Sequence, residues 1–154
     1  MTQSYVLYHT NPNWFNYIFS NNMNVGLINF WTNRNANNPR SKLNIETESV
    51  FLFKVYGEVA GCGRYIREED LTIPEMWDKY KRGNGADTVS QLEEMLHTTS
   101  INSSINNNTR LRCYILDQAV RFKSTIPLKS IGISPYMVVQ YFDVNLSTKL
   151  QGQC

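Results

Sequence analysis

The chain has 154 residues, 42% hydrophobic and 18% charged, which suits one domain with a real core and excludes a disordered chain. Its net charge of +2 is too small to mark a nucleic-acid binder by charge alone. No apolar run approaches membrane-spanning length, and the start, MTQSYVLYHTNPNW, lacks the basic and apolar regions of a secretory signal. The reading is a cytoplasmic protein with no membrane partner.

The charge is unevenly spread. Residues 1–45 carry Arg34, Arg40 and Lys42 and no acid, residues 46–94 carry six bases and eleven acids, and residues 95–154 carry six bases and two acids. Two basic ends that meet in the fold would share one basic face; the plain alternative is a solvated surface. Three cysteines, Cys62, Cys113 and Cys154, form no CxxC pair and have no metal-ligand spacing. Cys62 and Cys113 sit in apolar stretches, where a free thiol packs as a small hydrophobe, and a reducing compartment is the simpler reading.

Tyr5 to Tyr8 predicts a short strand. Asn11-Pro12 is a helix start, with Asn as N-cap and Pro at the first helical position. The helix runs through Trp14, Phe15 and Ile18 and ends at Ser20-Asn21-Asn22. Val25 to Trp31 alternates as a strand, with Asn29 and Trp31 on one face and Ile28 and Phe30 on the other. Thr32 to Asn44, TNRNANNPRSKLN, is polar, basic and rich in Asn, and reads as a long loop of the kind that carries function. Phe30-Trp31 at its mouth is what stacking on a base requires; the competing assignment of Trp31 is to the core.

Ser49 to Ile66, SVFLFKVYGEVAGCGRYI, predicts a hairpin turning at Gly57. Gly61 and Gly63 in its second arm mark a close approach, either of another backbone or of a ligand. Glu75 to Arg82 suits a short helix, with Trp77 assigned to the core. Asn84-Gly85 is a turn, and Asp87 or Thr88 caps a further helix through Leu96 whose apolar stripe is Leu92, Met95 and Leu96. The polar segment 98–109 is a loop. Leu111 to Leu116 is a strand that Ala119 to Phe122 extends or follows, and Met137 to Phe142 is the last strand. Six or seven short strands with three helices inserted predict an α+β fold with a curved sheet or small barrel.

Self-contained catalysis has little support. His9 and His97 are the only histidines, one at a strand end and one at a helix end, and both read as surface or capping residues. No HExxH, GxSxG or P-loop is present, and the acidic pairs lie in solvated segments. The chain alone is read as no enzyme, with no catalytic residue, no metal and no cofactor.

Four ordered stretches carry a resemblance. They are Trp14-Phe15 with Asn29-Phe30-Trp31; Phe51-Leu52-Phe53-Lys54 with Gly61-Cys62-Gly63-Arg64-Tyr65; Trp77 with Asn84-Gly85; and Cys113-Tyr114-Ile115-Leu116 with Val139-Gln140-Tyr141-Phe142-Asp143. Together they resemble the N-terminal PUA-like (SRA/EVE-like) domain of bacterial HNH restriction endonucleases that act on modified DNA, over most of residues 5–143. Thr32-Asn33-Arg34-Asn35 stands where such proteins tend to have Arg-Pro, and the ending VVQYFDV is shortened, which leaves the ligand open. The resemblance implies a PUA-like small curved β-barrel with flanking helices in residues 1–145, a tail in 146–154, and no HNH nuclease domain within the chain. It implies a reader that flips a modified base, a modified cytosine in DNA, into an aromatic pocket, with a nuclease domain or subunit as partner. Trp31 and Tyr65 would be stacking walls, Asn33 and Gln140 base-edge partners, and Gly61 and Gly63 close backbone approaches. Arg34, Arg40, Lys42 and Arg64 would meet phosphates. The alternatives are an RNA-binding module of the same fold and a protein-interaction domain without a pocket.

Overall fold

The computed structural model describes residues 5–36, 43–99, 105–132, 139–142 and 154. Among these, the strands are β1 (Tyr5–His9), β2 (Ile28–Asn35), β3 (Val50–Val55), β4 (Glu58–Leu71), β5 (Leu111–Pro127) and β6 (Val139–Phe142); the helices are α1 (Pro12–Ser20), α2 (Ile73–Tyr80) and α3 (Val89–Thr99). The strands form one mixed sheet in the order β2-β5-β4-β3-β1-β6. β1 and β3 run parallel, and the other pairs are antiparallel. This is the α+β, curved-sheet architecture that the pattern predicts.

The local signals act as physics requires. Asn11 caps α1, its side chain accepting from Asn13 N and Trp14 N, with Pro12 at the first helical position. Tyr56 and Gly57 both take positive φ, 50° and 75°, the paired left-handed turn that matches strand twist in a two-residue hairpin. Thr72 and Glu75 form a reciprocal capping box that starts α2, two residues before the start read from sequence. α3 buries Leu92 and Leu96.

The sheet is strongly curled. β2 and β1 stand four strand spacings apart in the sheet order, about 19 Å if it were flat. Yet the rings of Phe30 in β2 and Tyr8 in β1 lie 5.2 Å apart, and Phe30 lies 4.7 Å from Phe51 of β3. The inward faces of β1, β2, β3 and β5 thus close on an aromatic core of Tyr8, Phe30, Phe51, Phe53 and Tyr114, joined by Trp14 and Phe15 of α1. A second cluster, including Leu7, Leu52, Val59 and Phe122, covers the outer face.

Several expectations are corrected. Gly61 is a close approach of protein to protein: a Cβ there would lie 2.4 Å from Val120 O of β5 and 3.4 Å from the Phe15 ring. Gly63 faces Phe53 and Leu116. Tyr65 is buried in the inner core, because β4 is an interior strand with neighbours on both sides. None of the three lines a cavity described below. Cys62 is not a free packed thiol. It is disulfide-bonded to Cys154, with Cα atoms 6.1 Å apart, within the usual disulfide span. Two cysteines 92 residues apart give no sequence signal for pairing. Cys113 is the buried free thiol expected; burial pushes its pKa up to about 12, so it stays protonated and inert.

Candidate nucleic-acid interface

β2 does not end at Trp31. It continues through Asn35, and its pairing with β5 breaks: Trp31 faces Cys113 and Asn35 faces Leu111, so four steps along β2 match two along β5. The two surplus residues bulge out of the ladder, which re-aims side chains. Thr32 pins the bulge. Its hydroxyl donates to Arg112 O at 2.9 Å and accepts from Arg34 N at 3.1 Å. Beyond it, Ala36 N bonds to Arg110 O at 3.0 Å, and the Arg112 guanidinium donates to Ala36 O while pairing with Glu68 at 3.3 Å.

The bulge turns Asn33 and Arg34 into a cavity of about 690 Å³. Tyr8 and His9 contribute from the end of β1, and Asn11, Pro12, Asn13 and Trp14 from the start of α1. Phe30, Trp31 and Thr32 complete it from β2. The cavity occupies the seam of the curled sheet, where β1 and β2 meet by ring contact rather than by a ladder. Its size falls within the range of about 300–1,000 Å³ usual for small-molecule pockets.

The aromatic wall is held by one polar node. Asn84 is fully buried; its amide donates to Met76 O and Lys81 O, both at 2.8 Å, and accepts from Asn29 Nδ2 at 2.9 Å. The Trp31 indole donates to Asn84 O at 2.8 Å, and the Trp14 indole to Asn29 O at 3.0 Å. Gly85 follows at φ 84°, and a Cβ there would lie 2.4 Å from Trp14 Cδ1. Trp31 therefore satisfies both sequence readings: it is a core residue, 8% exposed, and its remaining surface lines the cavity.

Among the described residues no acid lines the cavity, and Arg34 and His9 do. His9 is held below its ordinary imidazolium range, first by burial and then by Lys54. Arg64, Arg67, Arg82, Arg110 and Arg112 are all ion-paired with carboxylates. Arg34 has no ion pair among the described residues. Arg64, expected on a phosphate, instead holds Asp117 through two hydrogen bonds of 2.8 and 2.7 Å, with Glu48 at 3.3 Å.

Of the expected site, then, the structure gathers Trp31, Asn33 and Arg34 and sets Gly61, Gly63, Tyr65 and Arg64 elsewhere. Gln140 pairs through its backbone with Leu7; its side chain, with Arg40 and Lys42, lies outside the described residues. The sequence reading missed His9, Asn11 and Asn13, although the cap signal at Asn11-Pro12 had already located the turn they share. Among the described residues no group of His, Cys, Asp and Glu is arranged to hold a metal, and no helix is long and apolar enough to cross a membrane.

No family model and no curated protein matches the chain. Solved structures do. The ASCH protein of Zymomonas mobilis superposes with a TM-score of 0.59 at 12% identity, over 95% of this chain and 92% of that one. A tyrosine-to-phenylalanine variant of it gives the same score and identity over 95% of each chain. A serine-to-alanine variant gives 0.59 at 11% identity, over 95% and 93%. The fold is therefore PUA-like.

Proposed function

We propose that the chain is a nucleic-acid-binding module that takes one base into the seam cavity. The observation that carries the reading is the cavity's make-up: Tyr8, Trp14, Phe30 and Trp31 in its wall, and Asn, Thr and Arg side chains with them, with no carboxylate among the described residues. Aromatic faces accept any base by stacking, worth about 1–3 kcal/mol per base, and short amide and hydroxyl side chains read its edge. Extruding a base from a duplex costs a few kcal/mol, which such contacts offset. A protein-interaction domain that had lost its pocket would show Trp31 buried with no cavity beside it, and the cavity speaks against that.

Within this reading the target is a modified base in DNA, a modified cytosine, and the module directs a modification-dependent nuclease supplied by another domain or subunit. The resemblance to SRA/EVE-like domains supports it. The PUA-like fold supports RNA equally, and the 2′-hydroxyl is what would separate the two. The test is fluorescence-anisotropy binding to matched duplexes carrying cytosine, 5-methylcytosine, 5-hydroxymethylcytosine or its glucosylated form, and to RNA of the same sequence, at low and moderate salt. Selective binding that survives added salt and is lost in Asn33→Ala supports a base pocket. Equal, salt-sensitive binding to every probe refutes it.

A further inference from the structure

We propose that the cavity binds a whole nucleotide, with the nucleotide's own phosphate on Arg34, so that nucleoside monophosphates bind where nucleosides do not. The inference rests on the base-binding reading above and specifies its ligand.

Three observations carry it. First, Arg34 lies in the cavity wall with no ion pair among the described residues. Five other arginines are ion-paired with carboxylates, and Arg121 lies over the Phe15 ring at 5.5 Å. Beside these engaged arginines, Arg34 is the one placed to meet a ligand. Arginine is also the side chain whose rigid fork matches a phosphate.

Second, the other source of positive potential at the site is already used. The start of α1 faces the cavity, but its backbone donors are taken: Pro12 has none, Asn13 N and Trp14 N bond to the Asn11 side chain, and Phe15 N bonds to Asn11 O. An anion there must use side chains, and Arg34 is the cation provided, with His9 beside the same space.

Third, the bulge that brings Arg34 into the cavity is built rather than incidental. Thr32 ties Arg34 N to β5 through its single hydroxyl. The same bulge carries Asn33, so a base-edge reader and a phosphate ligand arrive on adjacent residues. A cavity of about 690 Å³ has room for sugar and phosphate as well as base.

The test is a titration followed by calorimetry and by the intrinsic fluorescence of Trp14 and Trp31. The probes are the four common nucleosides, their 5′-monophosphates, inorganic phosphate and a short single-stranded oligonucleotide. At least one monophosphate should bind about 10-fold or more tightly than its nucleoside, the value of one charge-assisted contact. Arg34→Ala should erase that ratio while unfolding at the same temperature, since Arg34 holds no ion pair among the described residues. Arg34→Lys should keep part of it. Equal binding of nucleoside and nucleotide, a ratio unchanged in Arg34→Ala, or inorganic phosphate binding as well as any nucleotide overturns the inference. An oligonucleotide that binds while every monophosphate fails overturns it but leaves the base-binding reading standing. Failure of all probes overturns both.

Discussion

Asn84→Ala should be among the most damaging single substitutions in this chain, although it removes one uncharged side chain. The change removes three hydrogen bonds, to Met76 O, to Lys81 O and from Asn29 Nδ2, and leaves a void where a fully buried side chain stood. Each lost hydrogen bond costs about 0.5–1.5 kcal/mol, and the void adds to that. Together they give about 2–6 kcal/mol, a large part of an ordinary domain's stability of about 5–15 kcal/mol. For a chain of this length that corresponds to a fall in Tm of roughly 5–20 °C. Asn29→Ala should cost less, because Asn29 Oδ1 already lacks a partner among the described residues and its removal relieves that cost. The two changes should not add: with both side chains gone, neither strands the other, and the double variant should be more stable than additivity predicts by about 1 kcal/mol or more. Thermal and urea unfolding of the four proteins measures the cycle. A Tm loss under about 2 °C for Asn84→Ala, or strict additivity, refutes the assignment of Asn84 as the node that holds both indoles.

The glycines of β4 give opposite expectations. Gly61→Ala forces a Cβ against a backbone oxygen at 2.4 Å and should cost about 1–3 kcal/mol, whereas Gly63→Ala meets its nearest atom at 3.4 Å and should unfold within about 1 kcal/mol of wild type. Thr32→Val loses both hydrogen bonds that pin the bulge; nucleotide affinity should fall further than stability, read by titration beside a melt. His9 has a lowered native pKa, so the unfolded chain takes up that proton first. Its stabilising contribution is present above pH 6.5, the ordinary value, and is lost as pH falls through the lowered native one. His9→Gln should therefore show a smaller loss of Tm between neutral and mildly acid pH. Reduction of Cys62–Cys154 should cost about 2–4 kcal/mol, and Cys154→Ser should melt at one temperature with or without reductant.

The elements could be read from the sequence because local chemistry decides them: the Asn11-Pro12 cap, the hairpin at Gly57 and the alternation across Asn29, Phe30 and Trp31 all act within a few residues. The α+β class followed from their order. Half of the site could not be read in the same way. Gly61 and Gly63 imply close approach, but only the pairing of β4 between β3 and β5 decides that the neighbour is Val120 O or Phe53. Arg64 carries the same charge as Arg34, and only the fold sets Asp117 opposite one and not the other. Residues 32–35 read as loop because the segment is polar and rich in Asn, a poor strand former; their ladder is in fact supplied by β5, an instance of tertiary pairing overriding propensity. His9 was set aside by type, since nothing local shows that the sheet curls until β1 faces β2.

That curl is also why the cavity lies where it does. A sheet that closed completely would join its edge strands, β2 and β6, by hydrogen bonds. Here β1, the neighbour of β6, approaches β2 only through the rings of Tyr8 and Phe30, while the backbone of β2 spends its pairing on β5 and then bulges. β1 and β2 are thus bridged by side chains, and a ligand in the seam would touch both. Binding should therefore stabilise the seam as well as occupy it. At a ligand concentration one hundred times Kd the gain is about 2.7 kcal/mol if the unfolded chain does not bind, and slowed amide exchange should concentrate at His9 and at residues 32–34 rather than in β4. Protection spread evenly over the sheet, or confined to β4 and β5, would put the ligand somewhere other than the seam.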